Sequence, residues 1–181
     1  MLLKTDICEF GFKAPDFKLP DLDGSLLSLD DVKGEKGVLI AFICNHCPYV
    51  KAIITRLVSD AKDLQAAGIG VAAIMPNDYT THPDDAPDKM KLFAQDHGFT
   101  FPYLLDESQK VARAYDAICT PDFFGFNADL ELQYRGCLDE GRLEDIPGAK
   151  RELRDAMLEI AKTGQGPKEQ SPSMGCSIKW R

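Results

Sequence analysis

Residues 43–48 read Ile43-Cys44-Asn45-His46-Cys47-Pro48, with two cysteines three positions apart and a histidine between them. Cysteine reacts as the thiolate, so the first question is what would ionise one of these sulfurs. The flanking residues supply an answer. Residues 37–43, GVLIAFI, are an unbroken apolar run of strand length, as in a strand covered on both faces. After Pro48, Val50, Ile53, Ile54, Leu57, Val58, Ala61 and Leu64 recur at helical spacing, and Gly68 marks the end of the pattern. The cysteines therefore fall where a buried strand hands over to an amphipathic helix. The first N–H groups of a helix are unpaired and its N-terminus carries partial positive charge, which stabilises a thiolate. Pro48 suits the first turn, where a missing N–H costs nothing. In such a turn the first cysteine is expected to be the more exposed. Cys44 is therefore the expected nucleophile and Cys47 the resolving thiol, with His46 tuning their ionisation or moving a proton. A metal site is the rival reading, with Cys44, His46 and Cys47 as soft ligands and Cys119 as a fourth.

A second strand, IGVAAIM at residues 69–75, follows the helix, so residues 37–75 read as a right-handed βαβ unit. Chemistry in open α/β sheets collects at the carboxyl ends of such strands, where the cysteines lie. Asp23-Gly24 between leucines predicts a small N-terminal hairpin. Residues 76–89 form a polar loop. Short helices are expected at 88–97 and 108–117, with a strand start at 99–105 broken by Pro102. DFFGFN and LELQYRG make an antiparallel hairpin around Ala128-Asp129, and a last helix spans 148–163. This order describes an α/β, three-layer domain over residues 1–163 with a mixed central sheet. Residues 164–173, GQGPKEQSPS, read as a flexible linker, so 164–181 is a linker plus a C-terminal tail expected to pack on or near the domain. Cys119-Thr120-Pro121 stands just before the strand DFFGF. From spacing alone Pro121 is either a cis proline against the two cysteines or an ordinary strand-entry proline.

The chain has 181 residues and a formal net charge of −8, which suits one soluble domain and argues against nucleic acid and anionic membrane surfaces as partners. Lys4, Asp6 and Glu9 interrupt the apolar stretches at the N-terminus, and no run reaches transmembrane length. The expected compartment is the cytoplasm. Six cysteines there read as reduced, catalytic or metal-binding rather than as a disulfide framework.

Together these residues resemble a known family. The strand–CNHCP–helix unit followed by Thr120-Pro121 looks like the thioredoxin fold. Residues 14–34, APDFKLPDLDGSLLSLDDVKG, resemble the entry segment of AhpC/TSA peroxiredoxins and of TlpA-like and ResA-type thiol-disulfide oxidoreductases. FPYLLDESQKVARAY, CTPDFFGF and PSMGCSIKW are similar to patterns of a bacterial peroxiredoxin-like branch. The resemblance implies a thioredoxin fold with an N-terminal hairpin extension, and Thr120-Pro121 as a cis-proline loop facing the cysteines. It implies an antioxidant or cell-redox role: thiol-disulfide exchange through a redox-active Cys44–Cys47 disulfide, or alternatively thiol peroxidase chemistry. The partners would be a protein disulfide or a peroxide, and a thiol reductant of unknown identity. No cofactor or metal is expected.

Two departures accompany the resemblance. In the peroxidatic pattern P-x-x-x-T-x-x-C-P, Cys47-Pro48 matches the reacting cysteine, but Cys44 replaces the threonine and Ile40 the proline. The histidine at 46 resembles that of disulfide isomerases and oxidants, implying a potential above that of thioredoxin. Cys176 in the tail is a candidate mobile resolving thiol reaching Cys44, with Trp180 a candidate cover for the site. Cys8 and Cys137 are expected bystanders. His82 and His97 are expected at the surface or at helix ends; Asn77 and Asp78 line the site or, in the favoured reading, cap a turn; and Arg135 and Arg142 hold the thiolate or a partner's carboxylate or, in the favoured reading, are solvated charges.

Overall fold

A computed structural model describes residues 1–181. In chain order the elements are β1 (Leu2–Lys4), β2 (Lys18–Pro20), β3 (Leu26–Ser28), α1 (Leu29–Val32), β4 (Gly37–Phe42), α2 (Pro48–Ala66), β5 (Ile69–Met75), α3 (Pro87–Asp96), β6 (Tyr103–Leu105), α4 (Lys110–Ala114), β7 (Cys119–Thr120), β8 (Asp122–Asn127), β9 (Leu132–Tyr134), α5 (Glu152–Thr163) and β10 (Met174–Ser177). β2 and β3 form the expected hairpin, pairing Leu19 with Leu27.

The central sheet is mixed. β4 pairs antiparallel with β8, which pairs with β9, and β5 pairs in parallel with β6. The two ladders meet where β4 runs along β5. The Lys36 amide reaches Gly68 O at 3.0 Å and the Ile43 amide reaches Ile74 O at 3.0 Å, so both strands run the same way. Strand pleating sends alternate residues to opposite faces. On β4 and the residue after it, Leu39, Ala41 and Ile43 join a core under α2 and α5, while Val38, Ile40 and Phe42 join a second core on the opposite face. Phe123 and Phe124 divide the same way on β8. The apolar run in the sequence is therefore a strand covered twice.

α2 ends as its pattern predicts. Ala67 caps it, and Gly68 takes φ +85°, a left-handed conformation open to glycine at little cost. α5 starts at Glu152 rather than at Gly148, because Gly148 is itself left-handed (φ +80°) and the chain turns before the helix can begin. The tail is held along its length. The Gln170 side chain bridges Gln133 O and the Arg135 amide, each at 2.8 Å, and the Cys137 amide donates to Ser171 O at 2.7 Å. β10 then inserts between β1 and β7, antiparallel to both, so the chain end is part of a three-stranded sheet. No helix is long and apolar enough to cross a membrane.

Candidate active site

Cys44 directly follows the β4 run, and Cys47 is the N-cap of α2 with Pro48 as its first residue. The chain turns back between them. The Val50 and Lys51 amides donate to Cys47 O at 3.1 and 3.0 Å. Opposite lies the β7–β8 junction, where the Thr120-Pro121 peptide bond is cis. Both sulfurs meet Thr120. Cys44 Sγ is 3.3 Å from its hydroxyl and Cys47 Sγ is 3.2 Å from its carbonyl oxygen. Residues separated by more than 70 positions are thereby placed in one constellation.

A buried carboxylate holds the turn from the other side. Asp85, fully buried in a 3₁₀ turn at Pro83–Asp85, accepts the amides of Asn45 (2.8 Å) and His46 (3.3 Å). It also bonds His46 Nδ1 at 2.6 Å and accepts from Asn77 Nδ2 at 2.9 Å. Four partners answer the cost of burying a charge. The Asn45 side chain is fixed in turn by the Tyr103 hydroxyl at 2.7 Å and by Asp84 O at 3.0 Å. His82 stacks on His46 with ring centroids 5.5 Å apart. The sequence placed Asp85 in an undifferentiated polar loop and offered no signal for it. Asn77, expected to line the site or to cap a turn, belongs to this network, whereas Asp78 does cap a turn, accepting from Thr80.

The electrostatics differ between the two sulfurs. The Cys47 thiol is held far below its usual range, first by the Cys44 thiol donating to it, then by the Cys176 thiol and amide and the Val50 amide. Cys44 is pushed up by that same coupling to Cys47, by burial and by the Asp85 carboxylate. The Thr120 carbonyl beside Cys47 pulls the other way, since it can only accept a proton. Here the structure corrects the expected order. Cys44 is no more exposed than Cys47, both being 0 % accessible, because Cys44 sits between Thr120 and Asp85. The Asp85 hydrogen bond raises the pKa of His46.

The tail residues also sit differently from expectation. Cys176 is fixed in β10 opposite Thr120, next to Cys47 rather than Cys44. Trp180 does not cover the cysteines; it lies under the Arg113 guanidinium of α4, 4.2 Å from its ring centroid. Cys119 is buried, with Sγ 3.6 Å from Pro121 O, and burial raises its pKa. The donors that converge within 4.8 Å are Cys44, His46 and Asp85, not the set of the rival metal reading, Cys44, His46 and Cys47 with Cys119. Cys137 is buried behind Tyr134, whose hydroxyl donates to Cys137 O at 2.5 Å, and Cys8 is half-buried. Arg135 is not a solvated charge. It is buried, paired with Asp122 at 2.9 Å, and its guanidinium carbon lies 4.6 Å from the centroid of the Phe124 ring.

Comparison with known proteins agrees with this geometry. A protein from Mycobacterium tuberculosis named "Putative peroxiredoxin" is 30% identical over 139 residues, covering 77% of this chain and 83% of that one. The thiol-disulfide oxidoreductase ResA of Bacillus subtilis is 28% identical over 144 residues, covering 78% and 75%. A crystal structure of an uncharacterized conserved protein from Geobacillus kaustophilus superposes with a TM-score of 0.93 at 43% identity, covering 100% and 97%. The thioredoxin domain of a thiol-disulfide oxidoreductase from Bacteroides vulgatus, at 19% identity, shares the fold with a TM-score of 0.59 over 70% and 86%. The fold is that of thioredoxin, and the chain is an oxidoreductase. Residues 10–135 match the AhpC/TSA family, and with that match over most of its length the chain belongs to the AhpC/TSA family.

Proposed function

We propose that the chain is a thiol-disulfide oxidoreductase whose working couple is Cys44–Cys47. The observation that carries this reading is the contact of both sulfurs with the same residue, Thr120 of the cis-proline junction, at the N-terminus of α2. Cys47 is the attacking thiolate. It displaces one sulfur of a substrate disulfide, forming a mixed disulfide and releasing the first substrate thiolate. Cys44 then attacks Cys47 Sγ, the substrate's second thiolate leaves, and Cys44–Cys47 becomes the disulfide. A ring nitrogen of His46 is within 4.8 Å of Cys44 Sγ and receives the proton Cys44 gives up. Asp85 positions that ring. An outside dithiol reverses the sequence and restores the reduced pair. An apolar recess beside Pro121, lined by Tyr49, Ile53, Phe123, Leu138 and Met174, offers a partner chain a surface next to the couple.

The test is to trap the intermediate with a small aromatic disulfide. In Cys44→Ser/Cys176→Ser protein neither neighbouring thiol can resolve the adduct, and it is expected on Cys47. An adduct on Cys44 in Cys47→Ser/Cys176→Ser protein, with none on Cys47 in the first variant, would reverse the roles. Absence of any adduct in either variant would remove the couple.

A second reading has its own support in the low pKa of Cys47, which is followed by Pro48 as in the peroxidatic pattern. As a thiol peroxidase, Cys47 would take oxygen from a peroxide to form a sulfenic acid, and Cys44 would condense with it, releasing water. Peroxide consumption retained in Cys44→Ser and lost in Cys47→Ser would favour this reading.

A further inference from the structure

The couple has no exposed surface of its own, since Cys44 and Cys47 are both 0 % accessible. The one cysteine in contact with it that reaches solvent is Cys176, which is half-buried. Its position is rigidly specified. Cys176 lies opposite Thr120 in the β10–β7 ladder, and Thr120 is the residue on which both buried sulfurs rest. Gly175 fixes the approach, because a Cβ there would collide with the Thr120 carbonyl. Ser173 holds the same junction, its hydroxyl donating to Pro121 O at 3.0 Å. Cys176 packs, partly buried, against the core cluster that contains Cys44 and Cys47. A partly exposed thiol in a paired strand, packed beside the residue on which both buried sulfurs rest, is placed for exchange as well as for packing.

We propose that Cys176 is a third redox thiol, which exchanges with Cys47 and carries the disulfide from the buried pair to the surface. This rests on the Cys44–Cys47 couple proposed above. In the exchange, the deprotonated Cys176 sulfur attacks Cys47 Sγ of the Cys44–Cys47 disulfide. The Cys47–Cys176 bond forms, the Cys44–Cys47 bond breaks, and the electron pair leaves on Cys44, which takes up the proton Cys176 lost. The step is an isomerisation and needs no outside oxidant. A partner thiol too large to reach Cys44 or Cys47 then attacks the rim sulfur of Cys176, returning the electron pair of the broken bond to Cys47.

The experiment uses the full chain with limiting aromatic disulfide, thiol-release stoichiometry and non-reducing tryptic mapping. Cys44 and Cys47 share the peptide 37–51, whereas Cys176 lies in 169–179, so the two disulfides are distinct in mass. In Cys44→Ser, release of a second equivalent of aromatic thiol and a crosslink between 37–51 and 169–179 are expected. Cys44→Ser/Cys176→Ser stops at one equivalent, with the adduct retained on Cys47. Oxidised wild type is expected to show the crosslink alongside the internal 37–51 disulfide. If wild type forms only the internal disulfide and Cys44→Ser keeps its adduct with Cys176 fully alkylatable, the relay is wrong and the couple stands. If Cys47 takes no adduct in any variant, both the relay and the couple are wrong.

Discussion

Two buried aspartates brace the cysteine site from opposite sides, and they are built for different work. Asp122, at the start of β8, accepts the Ile118 amide at 3.2 Å and pairs with the Arg135 guanidinium, so it holds the Cys119–Pro121 segment in place. Burial pushes its carboxyl up, against the pull of Arg135. That partner is itself buried and keeps its charge at any working pH. Asp85 holds the Asn45-His46 turn, and although burial opposes ionisation, bonds from His46, Asn77 and the Asn45 amide keep its carboxyl low. Its charged partner is a half-exposed histidine that can lose its proton. One carboxylate is paired to a fixed charge and serves the fold. The other is paired to a charge that switches and sits within reach of Cys44, so it can serve both fold and chemistry.

The comparison makes graded predictions. Asp122→Ala strands a buried guanidinium and should destabilise the protein by about 3–5 kcal/mol in urea unfolding. A loss under about 1 kcal/mol would mean that Arg135 finds another partner or reaches water. Asp85→Asn keeps the shape but removes the charge, and should cost about 1–3 kcal/mol. Its distinguishing effect lies elsewhere. The His46 pKa, followed by NMR, should fall from its raised value towards about 6.5. An unchanged His46 pKa would show that Asp85 does not set it.

A third prediction follows from the sign of that shift. The His46 pKa is higher in the folded chain than in the unfolded one. The pair's stabilisation is therefore fully present below the unfolded pKa of about 6.5 and is lost as pH rises through the raised folded value. Unfolding free energy measured against pH should show this decline in wild type and a flatter profile in Asp85→Asn. The smallest effect is expected at Thr120. Thr120→Val removes the hydroxyl that hydrogen-bonds the reduced Cys44 sulfur, at about 1 kcal/mol, so the couple's potential should fall by about 20 mV.

Local chemistry was legible where period and punctuation carried it. The β4–α2–β5 unit, the hairpin at Asp23-Gly24 and the position of Cys44-Asn45-His46-Cys47 all follow from apolar spacing, Pro48 and Gly68. Thr120-Pro121 was legible as a candidate because proline at a strand entry is unusual, though whether it faced the cysteines was not. What the sequence concealed was long-range pairing. Asp85 in a run of loop acids looks like any solvated carboxylate until the fold brings it under the Asn45 amide. Arg135 looks like a surface charge until Asp122 is found beside it. GQGPKEQSPS has linker composition, yet β10 is anchored by β1, at least 170 positions away, and by β7, more than 50 positions away. The exposure order of the two cysteines was inferred from the turn alone and failed, because residues from three other segments cover that turn.

The most direct test of the central claim is a redox titration of Cys176→Ser protein in glutathione buffers, counting alkylated thiols by mass and mapping them to peptide 37–51. The account predicts a reversible two-hydrogen loss confined to Cys44 and Cys47, with a defined midpoint that disappears in Cys44→Ser/Cys176→Ser. Both thiols remaining free in fully oxidising buffer would contradict it.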